Sequence, residues 1–152
     1  MAGYVKHPSD TFCVFPCINL SSRTDGNTQV CCSAHSSFAS ETGSDGRKAV
    51  ARDADGEPVN LKNSSLTAAW NSDQLKYVRR TMLEGGKPFT CGKCFREEAV
   101  GIRSKRQWEN DNWQDESFYS DCVKQTELSG KAPVNLRYLD LKLGNLCNLK
   151  CI

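Results

Sequence analysis

The sequence carries no strong charge of either sign. Twenty Lys and Arg against eighteen Asp and Glu leave a formal charge of +2, so neither nucleic acid nor a membrane surface is expected as an electrostatic partner. Long hydrophobic runs are also missing. No stretch approaches the roughly 18 apolar residues of a membrane span, and residues 1–10 lack the apolar segment of a secretory signal. Hydrophobic residues make up 38% of the chain, below the usual globular share, which predicts a modest core rather than a large one. No internal repeat of useful length is found. A length of 152 residues suits one ordinary domain, or a small domain with part of another.

Cysteine is what the chain does have, with nine in all. Without a secretory signal the expected location is the cytoplasm, where thiols stay reduced and a disulfide framework is not expected. The odd count argues the same way, and clustered intracellular cysteines point to a metal ion or an iron–sulfur cluster.

Along the chain, Phe12, Val14, Phe15, Ile18 and Leu20 suggest a strand, and Val30 begins a second. Asp25-Gly26 between them is a hairpin-turn signal, and the pairing would bring Cys13 near Cys31. Residues 33–64, rich in Ser, Gly, Asp and Asn, read as a long polar loop. Leu66, Ala69 and Trp70 suggest a short helix, and Asn71 or Ser72 caps the next. Its stripe of Leu75, Val78, Met82 and Leu83 is core, and Gly85, Gly86 and Pro88 end it. Residues 95–110 are charged and helical, broken at Gly101. Arg96, Arg103, Lys105 and Arg106 read there as a solvated face, and Trp108 and Trp113 as packing residues. Residues 111–131 are polar, with a linker at Gly130 to Pro133 and Cys122 as a spare thiol. Residues 134–143 alternate apolar and polar, as a strand does.

Two cysteine constellations carry the chemistry. Cys13, Cys31, Cys91 and Cys94 supply four thiolates, enough for tetrahedral zinc or a cubane cluster, and Cys91-x-x-Cys94 offers two of them from one tight turn. Spacing does not separate the two metals. Cys31 and Cys32 compete for one position, because neighbours on a strand face opposite sides. Cys17 reads as a non-ligand packed as a small apolar group. Cys147 and Cys151, at CxxxC spacing after the last strand, form the second set. A third cysteine two residues on would fall beyond Ile152.

The segment from Leu139 through Gly144, Asn145, Cys147 and Cys151 resembles the opening of a radical SAM domain, whose motif is CxxxCxxC after the first barrel strand. The upstream part resembles a twitch or SPASM auxiliary-cluster domain. That likeness rests on Cys13 to Pro16, Asp25 to Cys32, Trp70 to Ser72, Arg79 to Gly85, Cys91 to Glu98 and Gly101 to Gln107, and the cysteine number suits a single twitch-type cluster. The resemblance implies that Cys13, Cys31, Cys91 and Cys94 ligate an auxiliary 4Fe–4S cluster, Cys31 being preferred to Cys32 by its spacing from Gly26. Cys147 and Cys151 would then be two of three ligands to a second 4Fe–4S cluster that binds S-adenosylmethionine.

The expected architecture is therefore α+β. A small cysteine-rich cluster-binding domain with a β-hairpin and helices occupies 1–131. The first strand and partial cluster loop of a truncated radical SAM (β/α) barrel occupies 132–152, a strand that would lack barrel neighbours. The full-length protein would cleave S-adenosylmethionine reductively to a 5′-deoxyadenosyl radical acting on a peptide or small molecule, with the remainder of the barrel as partner. No catalytic residue is assigned, and these residues alone would be inactive. The competing expectation is a non-catalytic zinc module; an RNA-binding domain is the weakest reading, because charge is near neutral and aromatics do not accompany the arginines.

Overall fold

Pro16 decides how the chain begins. The computed structural model describes residues 7–34, 50–113 and 116–144. Where the apolar run at 12–20 suggests a strand, a single helical turn forms instead, α1 (Phe15–Ile18), with proline at its start. Proline's fixed φ and missing N–H suit a helix N-terminus and would interrupt a ladder. The strand proper starts at β1 (Asn19–Ser22) and pairs antiparallel with β2 (Thr28–Gln29), Ser21 opposite Gln29. The turn falls where the Asp-Gly pair places it. Gly26 has φ +87°, and the Asp25 carboxylate accepts the Asn27 N–H at 3.0 Å. A side chain at Gly26 would meet Asn60 Oδ1 at 2.7 Å, so both conformation and space demand glycine.

The described end of the expected 33–64 loop is ordered. Val50 bridges Gln29, Arg52 bridges Pro58 and Asn60 bridges Asn27, which makes a small hairpin along the free edge of β2. Its polar composition conceals Val50, Ala51 and Val59, all buried. Ala51 and Val59 join Leu20, Ala69 and Trp70 in a second, smaller core.

Ser65 caps α2 (Leu66–Trp70), and Ser72 caps α3 (Asp73–Leu83), accepting the Leu75 N–H at 3.4 Å. The α3 stripe of Leu75, Val78 and Met82 packs into the main core with Phe12, Val14, Phe15, Ile18 and Val30. Gly85 at φ +80°, with the Gly86 N–H on Thr81 O at 2.7 Å, closes the helix in a Schellman-like turn. Arg79 crosses this junction. Its guanidinium donates to Pro16 O at 2.8 Å, Trp70 O at 2.7 Å and Asn71 Oδ1 at 3.1 Å. Burial lowers its pKa to about 10, so the clamp stays charged at neutral pH.

After α4 (Gly92–Ala99) and α5 (Lys105–Asn112), a 14-residue helix, α6 (Glu116–Ser129), occupies what reads as polar sequence. Among the described side chains of α6, Thr126 is buried, and Cys122 is bonded to Cys17, closing a separation of 105 residues. The reading of Cys122 as a spare thiol and of Cys17 as simple packing is corrected by this disulfide. The two Cα atoms lie 6.3 Å apart inside the main core, within bridging range.

The strand expected without neighbours has one. β3 (Tyr138–Leu141) runs parallel to β1 from Asn19 opposite Tyr138 to Ser22 opposite Leu141, giving the order β2-β1-β3. Tyr138 packs edge-on to Phe15 at 5.1 Å, and the Asp140 carboxylate accepts from Ser21 Oγ at 3.3 Å. Leu139 and Leu141 stay exposed. The fold is α+β, a three-stranded mixed sheet with helices. Among the described residues no helix is long and apolar enough to cross a membrane.

A long closed loop removes much chain entropy from the unfolded state. Cys122→Ser should therefore lower urea stability by about 2–4 kcal/mol. The same loss should appear when the native chain is unfolded under reductant. Equal midpoints for the variant and the oxidised native chain would show that the bond does not stabilise the fold.

Candidate metal centre

Four thiols reach one pocket from three separate segments. Cys13 precedes α1. Cys31 lies two residues beyond β2, with the hairpin fixed behind it by Asn19 Nδ2 donating to Val30 O at 3.1 Å. Cys91 ends a 3₁₀ turn (Phe89–Cys91) and is the N-cap of α4, and Cys94 sits in that helix's first turn. Gly92 is helical at φ −57°, and a Cβ there would meet nothing closer than the Arg96 guanidinium at 3.7 Å, so neither a left-handed turn nor crowding requires glycine in the CxxC segment.

Phe15, Pro16, Val30 and Met82 supply the apolar wall of this pocket, a cleft of about 20 Å³ that is partly open; Lys105 and Arg106 form its cationic side. Cys13 and Cys94 are buried, while Cys31 and Cys91 are half-buried. Burial is the main reason that the Cys13 thiol is pushed well up, with the other three thiols adding to the effect. Cys31 is pushed up by burial and by Cys91, and Cys91 rises to about 12, chiefly by burial. Such thiols are protonated at neutral pH, and a bound cation is what would convert them to thiolates, with protons released. Cys31 lines the pocket and Cys32 does not. Among the described residues no three His, Cys, Asp or Glu side chains converge as a ready site for a metal ion; the four thiols share the lining of one pocket. Cys147 and Cys151 lie outside the described residues.

The four basic residues read as a solvated face divide. Arg96 remains exposed. Arg103 pairs with Asp111 and stacks on Trp108, 3.9 Å from the ring centre. Lys105 turns inward, its ammonium 5.1 Å from the centre of the Phe15 ring and 5.4 Å from that of Tyr138, and it donates to Glu109 at 3.2 Å. Arg106 is buried. Its guanidinium grips Glu98 of α4 with two bonds, 2.9 and 2.6 Å long, and donates to Asp10 O at 3.0 Å and Phe12 O at 2.7 Å. Trp113 packs on the main core, as expected, whereas Trp108 is half exposed. Glu98 and Asn110 escaped the sequence reading; Ser104-x-x-Gln107, which forms a full capping box, was the signal that fixes α5 and so aims Arg106 and Asn110 one turn apart.

No family model, no curated protein and no solved structure matches this chain. Its reading rests on these side chains and their spacing.

Burial alone would raise Glu98, but hydrogen bonds from Arg106 and Ser104 and the charge of Arg106 outweigh it and hold the carboxyl below its ordinary 4.5. A depressed carboxyl stabilises above its unfolded pKa and loses that contribution as pH falls through the folded value. On acidification below 4.5, the denaturation midpoint of the native chain should fall more steeply than that of Glu98→Gln. Parallel pH profiles would remove Glu98 from the acid response.

Proposed function

We propose that residues 7–131 form an auxiliary-cluster domain holding a 4Fe–4S cluster on Cys13, Cys31, Cys91 and Cys94, within a radical SAM protein. One observation carries this reading: four cysteines spread over 82 positions line a single pocket. The donor set fits the group. Four thiols suit a cubane, one wall is apolar, and Lys105 and Arg106 place positive charge beside what would be an anionic centre. Four thiols at one pocket serve tetrahedral zinc as well as a cubane, and metal and sulfide content decides between them.

When bound, such a cluster supplies one-electron transfer or an iron that polarises a ligand. The chain's own residues do the rest. Phe15, Pro16 and Met82 give the site an apolar wall, α4 presents Cys91 and Cys94 together, and Lys105 lies on the side towards β3. Cys147 and Cys151 are assigned to the S-adenosylmethionine-binding cluster by the motif that follows β3. In the full-length protein the reaction would be reductive cleavage of S-adenosylmethionine to a 5′-deoxyadenosyl radical that takes a hydrogen atom from a peptide or small molecule.

Iron, sulfide and zinc should be measured on anaerobically purified protein beside a Cys91→Ala/Cys94→Ala variant. About four irons and four sulfides at this site, lost in the variant, are expected. About one zinc without sulfide would replace the cluster with a structural zinc module.

A further inference from the structure

Cys13 is held differently from the other three thiols. Cys91 and Cys94 are set by a helix, and Cys31 is set by a hairpin. Cys13 lies in neither, between the turn closed by the Phe12 N–H on Ser9 O at 3.2 Å and the start of α1. Its two flanking peptide groups point at one side chain. Asn110 Nδ2 donates to Phe12 O at 2.8 Å, and Asn110 Oδ1 accepts the Val14 N–H at 2.8 Å. A single planar amide therefore spans the Cα of Cys13 and satisfies the peptide on either side. Arg106, one turn earlier on α5, adds a second donor to the same Phe12 carbonyl.

We infer that Asn110 is the positioning residue that fixes the Cys13 thiol in the pocket, with Arg106 linking that grip to the helix that carries Cys91 and Cys94. The part played in cluster binding rests on the proposed function; the grip on Cys13 does not. The chemistry demands asparagine. One group must donate and accept in the same plane, so aspartate lacks the donor, leucine lacks both, and glutamine is one methylene too long. Asparagine is a poor helix former, and this one is 2% exposed, with its amide oxygen and one amide N–H directed at the peptides beside Cys13. The link runs from Glu98 on α4 through Arg106 to Phe12, so the CxxC helix and the Cys13 segment are tied without passing through the Cys31 hairpin.

The test follows thiol alkylation by iodoacetamide in the native, metal-free full chain, with each cysteine quantified by mass spectrometry. In Asn110→Ala the Cys13 rate should rise about tenfold relative to Cys94, since two buried backbone groups lose their partner. Asn110→Asp, which keeps the acceptor, should give an intermediate ratio. Val78→Ala, a cavity elsewhere in the same core, serves as the comparison and should speed Cys13 and Cys94 alike. A Cys13-to-Cys94 ratio in Asn110→Ala no higher than in Val78→Ala would overturn the inference and leave Asn110 as an ordinary core residue. If Asn110→Ala does not fold, the ratio in Asn110→Asp decides alone: unchanged from the native chain, it refutes the assignment. Iron and sulfide content in the native chain judges the proposed function separately, so a zinc protein with a high Cys13 ratio keeps the positioning role and loses the cluster.

Discussion

The Glu98–Arg106 pair is the joint on which the thiol pocket depends. Thiols at 13 and at 91–94 belong to segments with no backbone ladder between them. Packing alone can bring such segments close, but it does not fix their distance. A bidentate guanidinium–carboxylate contact does, because it sets angle as well as separation. Arg106 directs Nη1 at two carbonyls of the Cys13 segment, so one side chain carries the geometry of α4 to the far wall of the pocket. Removing the carboxylate would strand a buried cation, the expensive way to break such a pair.

The same economy recurs at Arg79. It gathers Pro16 O, Trp70 O and the Asn71 side chain at the meeting of α1, α2 and α3. With an apolar content of 38%, the chain has little core to spare, and two buried arginines satisfying backbone carbonyls take over work that a larger protein leaves to apolar contact. The carbonyls they serve are those of helix ends and of the irregular segment before α1, which have no ladder partner of their own. The disulfide between α1 and α6 acts alongside them.

Local signals were the most legible part of the sequence. Asp25-Gly26 marks a turn by a backbone requirement, Ser72 and Gly85 bracket a helix by capping chemistry, and the Leu75, Val78, Met82 stripe states its own period. Pro16 was legible too, had its ring been weighed above the apolar run around it. What stayed hidden was non-local. The α6 helix shows no apolar stripe and is held by Thr126 and by a bond to Cys17, a partner that spacing cannot name. The hairpin at 50–61 follows β2 rather than any period of its own. Arg106 reads as one more surface charge, since nothing in its neighbours reveals that Glu98 and Phe12 O await it. The convergence of Cys13, Cys31, Cys91 and Cys94 was foreseeable from cysteine chemistry, whereas the amide that steadies Cys13 was not.

The central claim is that three segments place four thiols around one multinuclear centre. Crystals of the anaerobically prepared protein, with anomalous differences recorded at the iron and zinc edges, test it most directly. The account predicts iron signal, extended over more than one atom, bonded to Cys13, Cys31, Cys91 and Cys94, with Cys32 unligated. A single compact zinc peak among those sulfurs, or iron bonded to Cys32 in place of Cys31, would contradict it.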